Sequence, residues 1–162
     1  MGKTSNIVGD RGENIFRTRI TQYGLFSAYF LGEKAPIEDI LLEINDDKTP
    51  YSCLIQVKTT EKGYYKKKKT LKVNVTKKKF EALLKRPLPT YVAGVDLNNE
   101  VVFITPAFNN SDRQSSMKTT NKLDFSDPVV TKNTLNKLKT DIIMYWDQIK
   151  VSSFKSTYKS RL

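Results

Sequence analysis

Histidine is absent from the 162 residues. That absence removes histidine general bases, Ser-His-Asp triads, HNH-type nucleases and imidazole metal ligands in one step. Cysteine occurs once, as Cys53, so neither an internal disulfide nor a cysteine-based zinc site is available, and a reducing, cytoplasmic setting is expected. No apolar run approaches the roughly 20 residues that a membrane helix requires. The opening Met1-Gly2-Lys3-Thr4-Ser5-Asn6 lacks the apolar segment of a secretory signal, and no membrane partner is expected. Acids are scarce as well: 17 Asp and Glu stand against 28 Lys and Arg, a net charge of +11. The remaining chemistry belongs to carboxylates, amides and lysines.

Such a positive excess favours polyanions, of which nucleic acid is the commonest in a cytoplasm. The excess is uneven. Between Glu61 and Lys79 lie nine lysines (Lys62, Lys66, Lys67, Lys68, Lys69, Lys72, Lys77, Lys78 and Lys79) and one acid. Tyr64 and Tyr65 sit beside the densest cluster, where their rings can stack on bases while lysines neutralise phosphates. The plainer alternative is a solvated loop that serves solubility. Acids gather early instead: Asp10, Glu13, Glu33, Glu38, Asp39, Glu43, Asp46 and Asp47.

Apolar periodicity outlines one α/β domain over 1–150 and a basic tail over 151–162. Phe16, Ile20 and Tyr23 mark a helix over 10–23, capped by Asp10 and stopped at Gly24. Strands are expected over 25–31, 37–44 and 51–60, then a lysine loop and a short strand over 71–75. Thr76 suits the N-cap of a helix to about Arg86, with Phe80, Leu83 and Leu84 buried and Pro87 and Pro89 ending it. A hairpin follows over 91–105, turning at Asn98-Asn99. Residues 106–130 read as a long loop, and 131–150 as an amphipathic helix carrying Leu135, Leu138, Ile142, Trp146 and Ile149. The expected order is α-β-β-β-β-α-β-β-α around a mixed central sheet flanked by helices.

The strands over 37–44 and 51–60 carry the most chemistry. If their connection folds symmetrically about Asp47 and Lys48, Asp39 lies opposite Gln56, and Lys58 projects from the same face two residues on. Around them stand Ile37, Leu41, Leu54, Ile55 and Val57, so polar groups there are costly unless paired or coordinating. A one-residue slip would send Asp39 to the other face. A carboxylate and an amide oxygen converging on one point make a hard-oxygen site suited to Mg²⁺ or Mn²⁺. Glu13 can add a second carboxylate, and Lys58 can steady charge on a phosphate.

Gly9-x-x-Gly12-Glu13 in the first helix, Asp39 on a strand and Gln56-x-Lys58 on the next resemble the PD-(D/E)xK, restriction-endonuclease-like nuclease superfamily. Within it, the pattern is similar to Holliday junction resolvase-like proteins and to a bacterial domain family of unassigned function. The resemblance implies a Mg²⁺-dependent phosphodiesterase, with Mn²⁺ as a possible substitute, acting on nucleic acid, DNA foremost. By position, Glu13 is the helix carboxylate, Asp39 the central metal ligand, Gln56 the variable ligand and Lys58 the catalytic lysine. The lysine-rich segment would then grip the backbone through Lys62, Tyr64, Tyr65, Lys66, Lys67, Lys68, Lys69, Lys72, Lys77 and Lys78. A homodimer or a place in a larger complex is compatible with this.

The departures and alternatives are specific. Gln56 stands where many members carry Asp or Glu, and Glu38 replaces the proline of the PD dipeptide, so either Glu38 faces the other side of the sheet or it is itself the ligand. Glu13 can instead pair with Arg17 at i,i+4, and Asp39 with Lys58 across the strands. A binding module of the same fold that does not cut nucleic acid is the rival function. Glu43 reads as exposed, Asp96 as a turn residue, Tyr145 and Trp146 as core, and Cys53 as a small buried apolar residue.

Overall fold

A computed structural model describes residues 2–32, 35, 37–66, 70–107 and 117–151. Three helices and nine strands follow in the order α1 (Gly2–Thr21), β1 (Phe26–Phe30), β2 (Ile40–Ile44), β3 (Ser52–Thr60), β4 (Tyr64–Tyr65), β5 (Thr70–Leu71), α2 (Lys77–Leu84), β6 (Thr90–Asp96), β7 (Val101–Pro106), β8 (Met117–Lys118), β9 (Lys122–Leu123) and α3 (Pro128–Val151). Six strands form a mixed sheet in the order β1-β2-β3-β6-β7-β9, and β4, β5 and β8 form a small second one. Only the β3–β6 pair of the large sheet is parallel, and α2 lies in the crossover between them. Among the described residues no helix is long and apolar enough to cross a membrane.

Period-two alternation divides the apolar residues between the two faces of the sheet. Ile40, Leu42, Cys53, Ile55, Val57, Tyr91, Ala93, Val95, Val102 and Ile104 join Phe16 and Ile20 of α1 and Leu135, Leu138 and Ile142 of α3 in the larger core. Val92, Val101 and Phe103 face the other way, against Leu71, Val73 and Leu83. Trp146 packs on the larger core, stacks on Tyr51 and donates from Nε1 to the Ser52 carbonyl at 2.9 Å. Cys53 is fully buried, as its apolar neighbours suggest.

The β2–β3 register is the one that a turn symmetric about Asp47 and Lys48 requires: Ile40 faces Ile55, Leu41 faces Leu54 and Glu43 faces Ser52. Elsewhere the structure departs from the sequence expectations. The first helix begins at Gly2, not Asp10. Asp10 is therefore interior rather than a cap, and its carbonyl accepts from Asn14 Nδ2 at 2.9 Å. The added turns were invisible because Ile7 is 59% exposed and contributes no buried stripe. Gly24 does stop the helix, at φ +69° with its N–H on the Thr21 carbonyl at 3.0 Å.

The lysine loop expected after Glu61 instead contains β4, whose Tyr64 and Tyr65 pair with Leu71 and Thr70. The strand expected over 71–75 is paired only at Thr70–Leu71. Residues 106–130, expected as a loop, contain β8 and β9. Each is two residues long, too short to show periodicity. The last helix starts at Pro128. Asp127 Oδ1 accepts from the Val130 N–H at 3.0 Å, so Asp127-Pro128 is an N-cap followed by proline at the first helical position. The expected tail over 151–162 lies outside the described residues except for Val151, the last residue of α3.

Candidate functional site

The site forms where β3 outruns β2. Ladder pairing begins at Ile40–Ile55, and one further rung, the Asp39 N–H on the Ile55 carbonyl at 3.0 Å, fixes Asp39 just ahead of β2. Its own carbonyl accepts from the Leu31 N–H at 3.0 Å, so the backbone under this carboxylate is held from both sides. Beyond that rung, β3 continues alongside β6 alone: Gln56 faces Val92 and Lys58 faces Gly94. Gln56 and Lys58 alternate with Ile55 and Val57 of the larger core, which turns both polar side chains toward the opposite face.

Helix α1 closes one side. A Cβ built on Gly12 would lie 1.8 Å from Thr59 Oγ1 and 2.8 Å from Thr59 Cβ. Only glycine allows the helix backbone to approach β3 this closely, and the next residue is Glu13. From the other side comes α2. Its N-cap, Thr76, accepts the Lys79 N–H at 3.4 Å, which sets Lys79 in the first turn. The resulting open cleft, of about 610 Å³, is lined by Glu13, Asp39, Gln56, Lys58 and Lys79, with Val8, Gly9, Ala35, Ile37, Val57 and Thr59 as its remaining wall.

All four residues singled out for catalysis thus line one cavity. Asp39 Oδ2 accepts the Val57 N–H at 2.6 Å and the Gln56 amide N–H. The same Nε2 donates to the Val57 carbonyl at 3.2 Å. These two acceptors fix which way the amide faces, because an oxygen at the Nε2 position would oppose both. Gln56 Oε1 is then left buried, with no hydrogen-bond partner among the described residues, on a residue only 2% exposed. Gln22 Oε1, Thr49 Oγ1 and Thr70 Oγ1 share that condition, but none of those residues lines the cleft.

Burial sets the protonation chemistry. It raises the Asp39 pKa above the ordinary 3.8, despite hydrogen bonds from Val57 and Gln56 and the nearby charge of Lys58 that pull it down. Burial also raises Glu13, with Asp39 and Asp10 adding like-charge repulsion. Lys58 is lowered, first by burial and then by the positive charge of Lys79. Glu13, Asp39 and Lys58 therefore share a space in which each is costly to charge.

Glu38 faces away. Its carboxylate, 4% exposed, is gripped by Arg86 through Nε, and through Nη2 at 3.1 Å. Of the two acids weighed for the ligand position, Asp39 is the one in the cleft. Arg17, the alternative partner for Glu13, sets its guanidinium over the Phe30 ring, 5.2 Å from the centroid. Among the described residues no group of three or more His, Cys, Asp or Glu side chains converges. The oxygen donors here are two carboxylates and an amide.

The lysine-rich segment divides. Lys62, Lys66, Lys77 and Lys78 are exposed, with Lys77 paired to Glu81 at 3.5 Å. Tyr65 is 41% exposed and carries Lys72 Nζ 5.2 Å from its ring centroid. Tyr64 is half-buried. Its ring meets Phe103 edge-on at 6.1 Å, and burial, with the Asp96 carboxylate nearby, raises the pKa of its hydroxyl. Lys67, Lys68 and Lys69 lie outside the described residues. Asp96 belongs to the turn, accepting from Asn98 N–H and Asn99 Nδ2 at 3.2 and 2.7 Å.

Lys79 is the cleft residue that sequence reasoning did not single out, having counted it only as one of a charge run. The usable signal was its place three residues after the N-cap Thr76, on the helix that crosses from β3 to β6. No protein-family model, curated protein or solved structure matches the chain.

Proposed function

We propose that this protein is a divalent-metal-dependent nuclease that hydrolyses phosphodiester bonds, with DNA as the substrate the charge favours most. The reading rests on one observation above all: Glu13, Asp39, Gln56 and Lys58, from three separate elements, line a single open cleft. The donor set suits a small hard cation, since Gln56 Oε1 is a buried acceptor without a partner and both carboxylates carry charge at a cost that a cation would offset. Asp39, Glu13 and Gln56 would hold Mg²⁺ or Mn²⁺. When bound, such an ion polarises a phosphate oxygen and makes water a stronger acid.

The chain's own groups supply the rest. Asp39 is fixed by backbone bonds on either side, so its carboxylate needs little reorganisation to act. Lys58 Nζ donates to a phosphate oxygen, and its lowered pKa lets it exchange a proton nearer neutrality than a free lysine. Exposed Lys62, Lys66 and Lys78, with half-buried Lys72, supply phosphate contacts outside the cleft.

The test is cleavage of supercoiled plasmid and of a four-way branched DNA, in Mg²⁺, in Mn²⁺ and in EDTA. Cutting is expected only with metal, and Asp39→Ala and Lys58→Ala should each lower the rate by at least about 100-fold. If the wild type cuts none of these substrates while all three proteins bind them equally, the enzyme reading is wrong. The rival, a binding module without cleavage, draws on a specific feature: Asp39 Oδ2 already receives two hydrogen bonds from its own chain. That same experiment decides between them.

A further inference from the structure

We propose that Lys79 is a second substrate-binding lysine, which together with Lys58 holds one phosphate group of the nucleic-acid backbone in the cleft; the polymeric identity of that phosphate rests on the nuclease reading. Lys58 and Lys79 both line the cleft, and the positive charge of Lys79 bears on the Lys58 ammonium. Two ammonium groups have donors only, so neither can satisfy the other, and an oxyanion between them satisfies both. Among the described residues neither lysine forms a salt bridge. Asp39 is engaged by Val57 and Gln56, and Lys77, in the same turn of α2, has its own partner in Glu81.

The sequence of α2 leads to the same conclusion. Its first turn is Lys77-Lys78-Lys79 with no acid, the reverse of what the helix dipole prefers at an N-terminus. An anion docked there relieves both the dipole and the lysines. Charge balance favours an anionic ligand. Glu13 and Asp39 cancel Lys58 and Lys79 in formal charge, so the residues alone are neutral. A divalent cation makes the cleft +2, and a phosphodiester brings it to +1. The cleft with its cation thus carries an excess of positive charge that an anion offsets, and Lys79 supplies one unit of it.

Inorganic phosphate is the probe, titrated in EDTA into protein carrying ¹⁵N-lysine, with the Nζ signals read by NMR. Phosphate should shift Lys58 and Lys79 together. Lys79→Met should weaken binding about tenfold, the scale of one lost charge-assisted hydrogen bond, whereas Lys79→Arg stays within about threefold of wild type, since its charge and donors remain. Lys48→Met, in the exposed β2–β3 turn, should bind as wild type does. The proposal is overturned if the Lys79 signal does not move, or if Lys79→Met binds phosphate as tightly as wild type. Phosphate binding that needs Lys79, in a protein that cuts no DNA, would sink the nuclease reading and leave the clamp. Metal-dependent cutting untouched by Lys79→Met would do the opposite.

Discussion

Replacing Gln56 by glutamate gives the cleft the third carboxylate that the wild type lacks, and the cost can be worked from the geometry. The Gln56 Nε2 serves two acceptors, Asp39 Oδ2 and the Val57 carbonyl. A carboxylate there loses both bonds and sets two negative groups in contact at a position only 2% exposed. Left ionised, an unpaired buried charge costs about 3–5 kcal/mol. Proton uptake caps that cost: at pH 7 a glutamate with an ordinary pKa near 4.3 can be protonated for about 3.7 kcal/mol, at 1.36 kcal/mol per unit. Once protonated, its O–H can donate to Asp39 as the amide did.

The expected penalty is therefore about 3–4 kcal/mol at neutral pH without metal, or roughly 6–15 °C in Tm for a chain of this length. The sign follows from linkage. The introduced carboxyl titrates higher in the fold than in the unfolded chain, so stability relative to wild type is intact below about pH 4 and falls by about 1.4 kcal/mol per unit as pH rises toward its folded pKa. Saturating Mg²⁺ should restore more stability to the variant than to the wild type, about 2.7 kcal/mol at a hundredfold excess over Kd. Urea unfolding from pH 4 to 8, with EDTA and with Mg²⁺, measures all three. A loss that does not vary with pH, or no loss in EDTA, would refute the argument that Gln56 bridges Asp39 and Val57 in a metal-free cleft.

Other expectations follow from the same contacts. Asp39→Asn should raise Tm in EDTA at pH 7, because burial lifts the Asp39 pKa and its ionisation works against the fold; the gain should vanish as pH falls below 3.8, and Mg²⁺ binding by calorimetry should be lost. Gly12→Ala should cost about 1–3 kcal/mol through overlap with Thr59, and adding Thr59→Ala should recover only part of it, since the Thr59 Cβ contact at 2.8 Å persists. Arg86→Ala should destabilise by about 3–5 kcal/mol by stranding buried Glu38, and Glu38→Gln should leave Mg²⁺ affinity unchanged, which checks that Asp39 is the ligand. Lys66→Glu with Lys72→Glu should flatten the dependence of log K on log salt by about 0.9 for each duplex phosphate contact removed, so an unchanged slope in DNA binding would assign these lysines to solubility alone.

The β2–β3 pair was legible because its signals agree: alternating apolar residues, one polar turn and a register in which a single-residue slip would invert every side chain. Asp39 opposite Gln56 follows from those alone. The approach of α1 was half legible, since Phe16 and Ile20 mark the buried stripe, but the contact of Gly12 with Thr59 depends on tertiary placement that no local pattern encodes. Lys79 was hidden by its neighbours, because in a run of nine lysines a functional ammonium has the same signature as a solvated one. The half-burial of Tyr64 was hidden for a related reason. Exposure depends on the β4–β5 pairing and on Phe103, about forty residues distant, and two-residue strands leave no periodicity to read.

A structural ion-pair network and a binding cleft leave opposite marks on the groups they hold. Pairing draws a carboxylate down and an ammonium up, as at Asp124, where Lys122 and Ser126 bring the pKa to about 2. In the cleft the directions reverse: Asp39 and Glu13 rise while Lys58 falls, with burial the largest cause for all three. If Asp39 and Lys58 were there to stabilise each other, their mutual attraction would outweigh desolvation, and it does not. Nor is the arrangement imposed by the fold, because the sequence satisfies Glu38 in full, with Arg86, one residue away on the opposite face. Glu13, Asp39 and Lys58 are instead charged at the expense of stability, in a cleft shared with Gln56, whose buried amide oxygen has no partner among the described residues. Such a cost is expected where the missing interactions come from something that binds.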